Sequence, residues 1–207
     1  MPTLSQAFTN KMIFDTIEQL DQELFLFLNQ FHADWLDFPM FLISWPVFWL
    51  PVYVFFFYTL SKRYPKLKSI LLGLLCLGVT IGGADSISTR GFKYTVKRYR
   101  PTHHHVIGPQ THTVENFDGN EYRGGKYGFI SGHAANFFGI ATYFFLLFGR
   151  NRNHRWLFAW AGLIAYSRIY LGVHYPLDII GGTMAGVLMG FISFRLFLFF
   201  QRKIEPA

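Results

Sequence analysis

Long stretches of this chain carry no charged side chain. Uncharged runs occupy residues 38–61, 69–84, 134–149 and 179–194, with a shorter one at 156–167. A helix needs roughly 20 mostly apolar residues to cross a bilayer. The first run reaches that length alone, and the others reach it once polar residues at their ends are included. The pattern predicts an all-α integral membrane protein with about five transmembrane helices. Pro46 and Pro51 fall inside the first run, where a membrane helix tolerates them. Ahead of it, Phe14, Ile17, Leu20, Leu24, Phe27 and Leu28 recur at helical spacing with Asp15, Glu18, Asp21 and Glu23 between them. That alternation predicts an amphipathic surface helix within residues 1–34, leading into the first span.

Composition agrees: 51% of residues are hydrophobic, 20% aromatic and only 15% charged, far from the balance of a soluble domain. The formal charge of +7 is concentrated in short connections. Lys62, Arg63, Lys66 and Lys68 follow the first span, Arg150, Arg152 and Arg155 follow the third, and Arg202 and Lys203 lie near the C-terminus. With five spans all three clusters share one side, which the positive-inside rule makes cytoplasmic. The excess charge is therefore topological and anion-binding, and no soluble basic face suggests a nucleic-acid partner. No secretory leader pattern is expected at the N-terminus. The lone Cys76 leaves the redox compartment open. No repeat or linker divides the chain, so residues 1–207 are read as one membrane-embedded domain.

Three polar clusters interrupt this apolar background. The third, residues 167–178, contains Arg168, His174 and Asp178, groups that are costly near hydrocarbon and usually functional there. Arg168 can hold an anion, His174 can attack it, and Asp178 can orient the imidazole. In the first cluster, Lys93 and Arg100 are seven residues apart, so a helix there would set both on one face to grip one anion. In the second, Ser131 and Gly132 open an uncharged helix whose free N–H groups suit phosphate oxygens, with His133 beside them as a candidate acid.

In order and spacing the clusters resemble the motifs of the type 2 phosphatidic acid phosphatase family, K-x6-RP, PSGH and SR-x5-H-x3-D. Lys93 to Pro101 and Ser167 to Asp178 match the first and third, and the resemblance spans residues 93–178. The second departs from the pattern at Ile130, where the family usually has proline. The resemblance implies a lipid phosphatase in which Lys93, Arg100, Ser131, Gly132 and Arg168 bind phosphate. His174 is then the nucleophile that becomes a phosphohistidine, Asp178 fixes its tautomer, and His133 protonates the leaving oxygen and later activates water. Residue chemistry fits those roles: cations neutralise the phosphoryl oxygens, and the guanidinium fork binds two oxygens at once. No metal or other cofactor is required. The family also contains soluble haloperoxidases, which leaves buried soluble helices as an alternative. The aromatic run of residues 53–58, with no polar face, argues against it.

Lys97 and Arg98, between the motif cations, are expected to snorkel or meet headgroups, and Asp85 to be a polar partner between helices or to support the site. His103, His104 and His105 are adjacent, and adjacent residues of a regular element cannot all point at one ion, so a polar loop contact is favoured over a metal site. The connection 102–130 sets Arg123 and Lys126 against Glu115, Asp118 and Glu121, with Asn116, Asn120, Tyr122 and Tyr127 as hydrogen-bonding and stacking groups. It reads either as a lid that meets sugar hydroxyls or as an ordinary solvated loop. The expected substrate is a phosphorylated membrane lipid within the bilayer, with lipid A phosphate or undecaprenyl diphosphate leading. Phosphatidylglycerol phosphate and phosphatidic acid are alternatives. The expected place is a bacterial inner membrane with the site facing the periplasm and no obligate protein partner. A non-enzymatic phospholipid-binding or transport protein would need only the cations, and the intact His133, His174 and Asp178 argue against it.

Overall fold

The computed structural model describes residues 4–149 and 152–205. Its helices are α1 (Leu4–Asn29), α2 (Asp34–Ser44), α3 (Leu50–Arg63), α4 (Leu67–Ser86), the short α5 (Tyr94–Val96), α6 (Gly132–Leu147), α7 (Trp156–Tyr170) and α8 (Pro176–Ile204). Only two isolated β-bridges occur among the described residues, both in the connection from α5 to α6 or at its edge. The all-α expectation is met.

Two helical runs, Leu67–Val96 and Pro176–Ile204, are each long and apolar enough to cross a membrane. The expected unbroken first span is different. Asp34–Ser44 and Pro46–Arg63 pass the same test only together and are bent by 73° at the break. Its cause is local: Pro46 has no N–H, and Trp45 before it takes an extended conformation, φ −85°, ψ 119°, as residues preceding proline prefer. At 16 and 15 residues, α6 and α7 are shorter than a full crossing.

The centre of the molecule is the pairing of α6 with α8. Along α8, Gly182, Gly186 and Gly190 recur every fourth residue, and a Cβ on them would lie 2.4, 2.1 and 2.4 Å from the carbonyl oxygens of Ser131, Ala135 and Gly139. Residue numbers rise together on both helices, so they run parallel with backbones in direct contact. Small residues permit this approach, which supplies helix association where lipid gives no hydrophobic drive. An aromatic cluster of Phe56, Phe137, Phe144 and Trp160 fills the space towards α3 and α7. α4 runs antiparallel to α6, with Ser88 Oγ donating to Ile130 O at 2.9 Å at one end and Tyr143 OH donating to Gly73 O at 3.0 Å towards the other.

These contacts bring the starts of α6 and α8 together at one end. At the other, Lys66 Nζ meets Glu205 Oε1 at 3.3 Å, joining the basic α3–α4 connection to the C-terminal segment. Arg150 lies outside the described residues.

Gly186→Val forces a side chain into the Ala135 carbonyl, and overpacking of this kind costs about 1–3 kcal/mol. A lower Tm in detergent is expected, while Gly162→Ala, whose Cβ meets nothing within 4 Å, leaves Tm unchanged.

Candidate active site

His174 and Asp178 meet where α7 turns into α8. Gly172, at φ +71°, reverses the chain after α7, and Pro176 opens α8, placing His174 just outside the helix and Asp178 in its first turn. Asp178 Oδ2 accepts the Tyr175 N–H at 3.0 Å and lies 3.3 Å from His174 Nδ1. Both side chains are buried. Since Nδ1 faces the carboxylate, Nε2 is the nitrogen left for chemistry. Gly128 packs beside the ring, where a Cβ would lie 3.5 Å from Nδ1. Burial, with Arg100, Arg168 and Lys93 nearby, pushes His174 well below the usual imidazole pKa.

The second cluster joins the third through the main chain: Ser131 N–H donates to the Asp178 carbonyl at 2.9 Å. Ser131 caps α6 by accepting the Ala134 N–H at 3.4 Å. The N–H groups of Gly132 and His133 belong to the first turn and have no intrahelical acceptor. A Cβ built on Gly132 would lie 3.8 Å from Lys93 Nζ and 3.9 Å from Asp85 Oδ1, so lysine and aspartate both flank the helix start.

Arg168 is buried, and its guanidinium is held on two sides. Nη1 donates to Ser44 Oγ, Nη2 donates to Tyr122 OH at 2.8 Å, and the buried Nε has no partner. His133 Nε2 lies 3.2 Å from the Ser44 carbonyl. A carbonyl only accepts, so Nε2 carries the proton and Nδ1 is the free nitrogen. Arg100 is buried as well and donates from Nε to Tyr127 O at 3.2 Å. Burial and the facing Arg168 lower its pKa to about 10, which leaves it charged at neutral pH. Like charges packed this closely favour an anion between them.

The expectation that Lys93 and Arg100 share a helix face does not hold. The run from α4 continues through a π-helical segment, Ile87–Lys93, and ends at Val96, where Lys97 turns left-handed at φ +52°. Arg100 reaches the site from the connection beyond, anchored by its N–H to Lys126 O at 3.1 Å. Arg98 is also not a headgroup contact: its Nη1 donates to Asp178 Oδ1 at 3.1 Å and its Nη2 to Asp21 Oδ2 at 2.7 Å.

Ser44, Asp21 and Arg98 were thus missed as site residues. Ser44 lies in an uncharged run whose only clue is the following Pro46, and Asp21 looked like one of several acids on a wet helix face. In the connection 102–130, Tyr122 does enter the site. Asn116 instead builds a turn, its Oδ1 accepting the N–H groups of Asp118 and Asn120 at 2.9 and 3.1 Å. The three histidines line a neighbouring polar cavity of about 790 Å³ with Arg123 and Lys126. Among the described residues no group of three or more His, Cys, Asp or Glu is arranged to hold a metal ion.

The sequence from residue 70 to 202 matches the model of the PAP2 superfamily, and the chain belongs to that family. It is 35% identical over 189 residues to a lipid A 4′-phosphatase of Porphyromonas gingivalis, covering 90% of this chain and 77% of that protein. A lipid A 4′-phosphatase of Bacteroides thetaiotaomicron is 32% identical, over 91% of this chain and 80% of its own length. The fold resembles a transmembrane PAP2-type phosphatidylglycerolphosphate phosphatase from Bacillus subtilis, with TM-score 0.61 and 21% identity over 92% of this chain and 89% of that one. With its apolar helical runs, the chain is an integral membrane protein.

The depressed pKa means His174 is neutral at neutral pH and takes up a proton only as pH falls well below the ordinary value of 6.5. NMR titration of the labelled imidazole in micelles should show the neutral form persisting below that pH.

Proposed function

We propose that this protein removes the 4′-phosphate of a lipid A-type glycolipid through a phosphohistidine at His174. It is a phosphatase of membrane lipids, the class its family and relatives define. The observation that carries the choice of substrate is the match to two lipid A 4′-phosphatases over nine-tenths of this chain.

Lys93, Arg100 and Arg168, with the N–H groups of Gly132 and His133, bind the phosphoryl oxygens and stabilise their charge as it shifts during transfer. The unpartnered Arg168 Nε is a free donor for that anion. His174 Nε2 attacks phosphorus; the P–N bond forms as the P–O bond to the sugar breaks. His133, made imidazolium as the anionic group arrives, gives its Nδ1 proton to the departing oxygen. The neutral His133 then takes a proton from water, whose oxygen attacks phosphorus as the P–N bond breaks and phosphate leaves. Asp178 keeps Nδ1 protonated and steadies the positive charge on the phosphorylated ring.

An apolar cavity of about 400 Å³ between α3, α4 and α6 supports lateral delivery of the lipid. Pro46 and Asn136 line it, close in sequence to Ser44 and His133, so acyl chains lying there would bring the headgroup to the cations. Residues 1–207 act as one membrane-embedded unit. α1 carries its exposed Phe14, Ile17, Leu20 and Leu24 against the membrane surface, and five segments cross a bacterial inner membrane with the site at the periplasmic face.

Initial rates on lipid A and undecaprenyl diphosphate in matched micelles test the substrate. Lipid A is expected to be faster, and Tyr122→Phe to slow it about tenfold or more by freeing one arm of Arg168. His174→Ala should abolish turnover, Asp178→Asn should slow it by roughly two to four orders of magnitude, and EDTA should have no effect. A faster prenyl diphosphate would overturn the glycolipid assignment alone, whereas turnover by His174→Ala would overturn the mechanism.

Topology has a separate check. Cysteines placed at Lys66 and Asn120 should label from opposite sides of intact membranes, Lys66 from the cytoplasm.

A further inference from the structure

Behind His174, three charged groups from distant parts of the chain are joined in a line. α1 is exposed along most of its length, yet Asp21 is only 4% exposed. Its Oδ1 accepts the Leu177 N–H at 2.9 Å, and its Oδ2 accepts Arg98 Nη2 at 2.7 Å. Arg98 passes from there to Asp178 Oδ1 at 3.1 Å, which leaves Asp178 Oδ2 to Tyr175 N–H and His174. The guanidinium also lies 4.3 Å from the Tyr175 ring centre, and Phe25, one turn after Asp21, meets that ring edge-on at 5.3 Å. Burial alone would weaken Arg98, but Asp178, Asp21 and Glu18 outweigh it and raise its pKa. A buried carboxylate on a surface helix is costly unless something uses it. Here a planar fork spans two carboxylates, which a lysine ammonium cannot do.

We propose that Asp21 and Arg98 are positioning residues for the reaction: Asp21 holds Arg98 so that it takes one oxygen of Asp178 and fixes the other on His174 Nδ1. α1 is then the outer wall of the active site. This rests on the reading of His174 as the nucleophile.

The arrangement has a signed consequence. Arg98 offsets the pull of Asp178 on the imidazole proton, and Asp21 offsets Arg98. Removing the Arg98 charge leaves the Asp178 carboxylate uncompensated, favours imidazolium and moves the His174 titration to higher pH. Removing the Asp21 charge does the reverse. Lys93 at the end of the α4 run, Arg100 beyond α5, Arg168 on α7 and His133 on α6 also act on His174. Glu18 faces Arg98, and Asp85 faces Lys93. All of these are the same in both variants.

The test uses the full-length enzyme in micelles with labelled histidine, the His174 signal being the one lost in His174→Ala. Asp21→Asn and Arg98→Gln should each lower kcat about tenfold or more, as loss of an outer hydrogen-bond partner does at metal sites, with KM nearly unchanged. His174 should titrate lower in Asp21→Asn and higher in Arg98→Gln. Arg98→Lys, the milder change, keeps a charge and should hold the titration near its original place without restoring kcat. Titrations that stay put or move the same way overturn the proposal, as does full kcat in Arg98→Lys. If His174→Ala is inactive while Asp21→Asn and Arg98→Gln keep full kcat, this inference fails and the phosphohistidine mechanism stands.

Discussion

A single buried carboxylate, Asp178, sets the arrangement of everything around it. Its oxygens receive the Tyr175 N–H that caps α8, the imidazole of His174 and a guanidinium arm of Arg98. Its main-chain carbonyl receives the Ser131 N–H at the start of α6. A charge so deeply buried persists only when its lone pairs are satisfied, so each partner is held in place by the others. The helix starts, the His174 imidazole and the connection after α5 are therefore positioned by one group.

The backbone contact between α6 and α8 serves the same end from the other direction. Three glycines on α8 allow the parallel helices to meet without side chains between them, which fixes how far Ser131 lies from Asp178. The basic connections collect at the opposite end, where Lys66 pairs with Glu205. Lys93, Arg100 and Arg168 are set apart from them by the length of the bundle. The two groups of cations thus lie at opposite ends of the bundle.

Much of this was legible in the order of residues. Uncharged runs marked the helices, and three polar clusters marked the groups that the fold brings together. What escaped depended on geometry that spacing does not carry. Helical periodicity put Lys93 and Arg100 on one face, but the left-handed turn at Lys97 ends the helix between them. Arg98 was indistinguishable from its basic neighbours until the turn aimed it at Asp178. Asp21 read as one acid among four on an amphipathic helix, because burial of one stripe of α1 depends on what packs there. The spacing of Gly182, Gly186 and Gly190 was visible in the sequence, but its partner helix was not.

The break at Trp45 joins folding to chemistry. Beyond Ser44 the chain leaves the helix, so its carbonyl has no backbone donor from the next turn and takes its hydrogen bond from His133 instead. In a low-dielectric interior an orphaned carbonyl is a liability. The His133 imidazole completes the hydrogen bonding of the broken span. Replacing His133 would leave that carbonyl without a donor, at a cost of about 1–3 kcal/mol, so the position bears on stability whatever chemistry it performs.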